Sequence, residues 1–173
     1  MLENGALLLR PCAAFPGAAA EGEAAALEPA RAVLDALTGA PRGFAGWRRR
    51  GRLWPRWLSR PVLAVHESDD APLLFTVHGL WGLAARWEVR DADGNVLGVL
   101  CGPLIKDRFG RNLALWERSA GDVGRARDGD GRELMTVMAT PEGTRVAFAA
   151  GAEGNPFLKM LLLAAALVEP LAA

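Results

Sequence analysis

The sequence predicts a mainly β fold with one central helix, an antiparallel barrel closed around an apolar C-terminal α-helix. Three observations predict it. From Pro61 onward, short apolar runs alternate with turn residues, the texture of strands. A unit of strand, acidic-glycine turn and strand occurs at 90–100 and again at 127–138. The last helical segment, 156–168, is apolar on every face.

With 173 residues, 51% of them apolar and 23% charged, the chain suits one packed core. Twenty basic residues balance twenty acidic ones, so whole-chain charge gives no case for nucleic acid, membrane or an acidic substrate. Eighteen of the basic residues are Arg, a bias attributable to GC-rich coding, which discounts arguments from arginine alone. Cys12 and Cys101 are far apart and form no CxxC pair, consistent with a reducing compartment. Glu3 precedes the short run Ala6 to Leu9 without a basic start, so no secretory signal is read and a cytoplasmic location is expected.

Residues 1–45 read as an Ala/Pro/Gly-rich N-terminal extension. Within it a weak helix is expected over Glu21 to Leu37, where Ala26, Leu27, Ala30, Val33, Leu34 and Leu37 fall near one face. Thr38 to Gly43 then reads as a linker. The barrel domain occupies 46–173. Its strands are read at Val62 to Val65, Leu73 to Val77, Trp87 to Arg90, Val96 to Cys101, Leu113 to Trp116 and Thr144 to Ala149, and in the unit from Val123 to Met138. Eight or nine strands follow in all.

In Trp87-Glu88-Val89-Arg90 the period of two puts both apolar residues on one face. Asp91-Ala92-Asp93-Gly94-Asn95 then turns the chain into Val96 to Leu100. Asn155 suits an N-cap and Pro156 the first helical position. The dozen residues that follow span roughly 20 Å at ~1.5 Å each, short of the ~30 Å of a hydrocarbon core. Burial inside a barrel satisfies such a helix; a membrane or a partner surface would do so as well.

This ordering resembles the phospholipid scramblase and LURP-one-related family, whose shared architecture is the tubby-like C-terminal fold. The stretch Trp87 to Leu100 is similar to that family's strand, Asp-x-x-Gly turn and Val-Gly strand, and Val123 to Met138 is a weaker copy. Asn155 to Val168 resembles its closing hydrophobic helix, and the likeness runs from about Pro61 to Pro170. The resemblance implies a twelve-stranded barrel wrapped around that helix. The long Cys-rich and Pro-rich N-terminal region of eukaryotic scramblases is missing, as is a calcium-binding segment. Headgroup binding is therefore expected ahead of calcium-activated scrambling, because a helix inside a barrel cannot also span lipid.

No catalytic centre, metal site or cofactor is read. Asp91, Asp93 and Asn95, and separately Asp128 and Asp130, are too compressed for an EF-hand and read as hairpin turns. His66 and His78 lack a Cys cluster to complete a zinc site. Ser59, Ser68 and Ser119 lie outside any nucleophile elbow, and Gly98, Gly102 and Gly110 form no phosphate loop.

The segment with functional colour is 42–60, where Arg48, Arg49, Arg50, Arg52, Arg56 and Arg60 interleave with Trp47, Trp54 and Trp57 and no acid intervenes. Guanidinium forks suit phosphate, and indoles favour the boundary between water and acyl chains, so an anionic phospholipid surface would satisfy both. The same mixture stacks bases and pairs phosphates on single-stranded nucleic acid, a less favoured partner. A third reading packs the tryptophans on the barrel, with the arginines solvated or paired with Glu67, Asp69 and Asp70. The expectation is thus a non-enzymatic domain binding phospholipid headgroups, peripheral to the inner face of a membrane. The alternative is a scaffold meeting a protein partner through its N-terminal extension.

Overall fold

The computed structural model describes residues 5–13, 27–48, 60–67, 72–81, 85–118 and 123–168. Short apolar runs and alternating segments form β1 (Ala6–Pro11), β2 (Leu27–Asp35), β3 (Pro41–Arg48), β4 (Val62–Glu67), β5 (Leu73–Leu80) and β6 (Arg86–Asp91). The series continues with β7 (Val96–Cys101), β8 (Leu104–Asp107), β9 (Asn112–Arg118), β10 (Val123–Arg127), β11 (Glu133–Thr140) and β12 (Gly143–Phe148). Each strand pairs antiparallel with the next, and β12 returns to β1 through Ala6↔Ala147 and Leu8↔Arg145. The sheet is a closed antiparallel barrel of twelve strands, with no exposed edge to recruit another chain.

Eight strands enclose a space that their own side chains just fill, whereas twelve leave room for more. Here α1 (Pro156–Val168) supplies the filling. Its residues Leu161 to Leu167 are buried in unbroken succession, which leaves no open face. They form one cluster with inward-facing side chains such as Leu7, Val33, Val65, Val77, Val89 and Val146. Asn155 Oδ1 accepts the Leu158 N–H at 3.0 Å and so caps the helix, as its sequence implies. Lys159, the helix's one charge, is buried with its ammonium 5.4 Å from the Phe148 ring. A smaller apolar cluster of Leu27, Phe44 and Ala64 lies on the outer face, by strand parity opposite Ala45 and Val65, and His66 stacks on Phe44 at 5.1 Å.

Three hairpins share one turn chemistry. In Asp91 to Asn95, Asp107 to Arg111 and Asp128 to Arg132, the first and fifth residues pair through the N–H of the Asp. The Asp carboxylate accepts the N–H of the fifth residue at 2.8 to 2.9 Å. Gly94, Gly110 and Gly131 take φ of 84°, 83° and 79° at the fourth position, where a Cβ would be strained. The first and third are the turns expected from sequence. The middle one, Asp-Arg-Phe-Gly-Arg, is a further copy that the sequence reading did not isolate. All three Asp side chains are thus occupied with backbone N–H groups, the Asx-turn role.

Asp35 does related work between β2 and β3, accepting the N–H groups of Leu37 at 2.9 Å and Thr38 at 3.0 Å. The Thr38 and Leu37 N–H groups hold its carboxyl below the usual Asp range, against a smaller opposing effect of burial. The Asn95 side-chain amide does the same for Asp91. A carboxyl lowered in the folded state stabilises it fully above the unfolded value of ~3.9, and that stabilisation is lost as pH falls through the lowered value. The urea midpoint should therefore drop on acidification below about pH 4, and a D35N/D91N variant should start lower at neutral pH and lose less. Parallel pH profiles for the two proteins would contradict this.

The structure corrects three expectations about the N-terminal part of the chain. The helix read over Glu21 to Leu37 is strand β2 from Leu27 to Asp35, and 21–26 lies outside the described residues. Its spacing fits a helical face, but β1 and β3 flank it on both sides, with register shifts at Pro29/Arg31 and Val33/Leu34 absorbing the misfit. Pairing of its backbone to two neighbours overrides a modest local propensity. The described residues of 1–45 are consequently part of the barrel: β1, β2 and most of β3 are its staves. Thr38 to Gly43 is correspondingly a hairpin turn running into β3 rather than an interdomain linker.

Candidate functional site

An up-and-down meander sends alternate connections to opposite ends of the barrel. Segments 36–40, 92–95, 108–111 and 128–132 gather at one end, where α1 also starts. This aspartate end carries Asp35, Asp91, Asp93, Asp107, Asp128 and Asp130. Residues 12–13, 60–61, 102–103 and 141–142, with Trp81 and Ala85, lie at the other end, where α1 finishes.

That second end collects the tryptophans. Trp47 sits near the finish of β3, Trp81 follows β5, Trp87 is the second residue of β6 and Trp116 lies near the finish of β9. The remaining two of the chain's six, Trp54 and Trp57, belong to the segment that joins β3 to β4. Arg48, Arg60, Arg86 and Arg118 are exposed at the same end.

Of the residues expected to bind phosphate or lipid, Trp47 and Arg48 are described, while Arg49, Arg50, Arg52, Arg56, Trp54 and Trp57 lie outside the described residues. Trp47 is partly buried against the barrel core, its ring 6.1 Å from that of Trp87 and tilted by 47°. It therefore packs as well as borders the rim. Arg48 is exposed on the outer face, as alternation from Trp47 requires. Glu67 stands at the far end of β4, about 17 Å along the strand at ~3.3 Å per residue, too far to pair with Arg48 or Arg60. Asp69 and Asp70 lie outside the described residues.

Sequence reasoning did not include Trp81, Arg86 and Arg118 in this group, because they are scattered over nearly forty positions and no local motif joins them. Trp87 and Trp116, also absent from it, line a void with Leu100, Ile105, Ala165 and Val168. Its volume is about 10 Å³, room for one water at most. Trp116 Nε1 is buried without a hydrogen-bond partner there. This void leaves no room for a sizeable ligand.

The reactive side chains are dispersed. Among the described residues no three of His, Cys, Asp and Glu gather as a metal site. Burial pushes the Cys12 thiol up, away from the reactive thiolate. Burial, then Arg90 and Arg48, hold the His78 imidazole below its usual range despite Glu88, and His78 shares a hydrogen bond with Thr76 at 3.0 Å. His66 pairs with Leu73 and His78 with Val62, which places the two histidines at opposite ends of the β4–β5 hairpin. Ser59, Ser68 and Ser119 lie outside the described residues. No described helix is long and apolar enough to cross a membrane.

In comparison with known proteins, no family model, no curated protein and no solved structure matches this chain. The class the coordinates define is therefore architectural: a closed twelve-stranded antiparallel β-barrel with one helix.

Proposed function

We propose that this chain is a non-enzymatic, tubby-like domain of the scramblase and LURP-one-related kind that binds phospholipid headgroups at a membrane surface. The observation that carries the reading is the gathering of tryptophans and exposed arginines at one end of the barrel. Arginine supplies bidentate donors to phosphate, and indole prefers the interfacial depth just below the headgroups. The segment 49–60 adds Arg49, Arg50, Arg52 and Arg56 to the same connection without an intervening acid. Each cation near an anionic leaflet contributes about 1 kcal/mol, so several together suffice for measurable binding at low salt.

Flotation with phosphatidylserine-containing liposomes tests it. The intact protein should float at low salt and be released as salt screens the surface. Replacing Arg48, Arg49, Arg50 and Arg52 together by Ala should weaken binding by more than about a hundredfold. A protein that stays unbound at low salt, or a quadruple variant that floats like wild type, would remove the lipid reading.

A further inference from the structure

We infer that the barrel docks on the membrane end-on, with α1 near the bilayer normal and Trp81 entering the interface. This rests on the phospholipid reading and adds an orientation and three residues to it.

The choice between ends is decided by charge. Exposed apolar side chains occur at both: Trp81 at the tryptophan end, and Leu37, Phe109 and Phe157 at the other. Around Phe109 the guanidinium carbons of Arg108 and Arg111 lie 4.7 and 5.4 Å from the ring centroid, but this tip is set among the turn aspartates. Asp35, Asp91, Asp93, Asp107, Asp128, Asp130, Glu133 and Glu153 lie on that side and outnumber Arg42, Arg108, Arg111 and Arg132, so an anionic leaflet disfavours it. At the opposite end the exposed cations Arg10, Arg48, Arg60, Arg86 and Arg118 outnumber the exposed acids Glu28, Glu117 and Glu142 among the described residues.

The register places Trp81 among these cations. Leu80 pairs with Arg86 across β5 and β6, and Trp81 follows directly. Gly79 donates its N–H to the Pro61 carbonyl at 2.9 Å, which sets Arg60 beside the same strand end. Leu80 thus lies level with Arg60 and Arg86 on its two neighbouring strands, and Trp81, one residue beyond, has 56% of its surface exposed. An indole at a rim that also carries guanidinium groups reaches the acyl boundary while those groups hold phosphates.

Co-sedimentation with phosphatidylcholine vesicles, with and without phosphatidylserine, separates the possibilities. W81A should bind phosphatidylserine vesicles on the order of tenfold more weakly, and R86E at least about fivefold more weakly. F109A, at the aspartate end, should match wild type. Because Trp81, Arg86 and Phe109 are exposed, thermal melts of all three variants should follow wild type. If wild type does not sediment with the vesicles, both the lipid reading and the end-on placement fail. If it does, and W81A and R86E bind as tightly as wild type, lipid binding stands and the placement is overturned.

Discussion

Deleting residues 1–40 should leave a chain that does not fold. The truncation removes β1 and β2, and with them the only strands that join β12 to β3. Leu7, Leu9 and Val33, each with no exposed surface, leave the core along with three of the twelve strand pairings that close the ring. Losing one such side chain costs about 2–5 kcal/mol, and three together approach the ~5–15 kcal/mol that holds a typical domain. Two unpaired strand edges would also be laid open to aggregation. Circular dichroism and a thermal melt decide the matter. A truncated protein that stays soluble and unfolds cooperatively near the full-length melting temperature would show that these residues are a dispensable extension after all.

Adding one methyl group at Gly98 should destabilise the protein by about 3 kcal/mol or more, at the upper range for overpacking. Gly98 faces inward on β7, where the barrel wall meets α1. A Cβ there would run into the Lys106 carbonyl oxygen on β8 and come within 3.0 Å of a Leu161 methyl on the helix. The Leu161 side chain is flexible and can turn away, but the carbonyl belongs to the β7–β8 ladder and cannot move without breaking it. G98A should therefore lower the urea midpoint sharply, and the double variant G98A/L161A should not recover it. Recovery by L161A would locate the obstacle in the helix instead of the strand pairing, and an unchanged midpoint for G98A would refute the close approach altogether.

What the sequence determined by itself was whatever short-range physics sets. Asp-x-x-Gly turns close through their own carboxylates and a positive-φ glycine, so two of the three hairpins were legible from five residues each. Asn155 and Pro156 announce a helix start within four residues, and an all-round apolar helix too short for a bilayer points to cover inside the protein ahead of a membrane or a partner. Strand β8, four residues between two turns, carries too little pattern to stand out. Strand β2 was misread because Ala, Leu and Val at its spacing satisfy both periods, and only its two neighbours choose between them.

The tertiary structure alone decided where the rim residues meet. Trp47, Trp81, Trp87 and Trp116 are spread over seventy positions, and nothing local relates them. Twelve strands that alternate in direction bring them to one end and send the turn aspartates to the other. Strand direction and ring closure are long-range properties, set by which backbones pair across the whole chain. A charge asymmetry invisible in a balanced composition becomes, through that pairing, a molecule with two unlike ends.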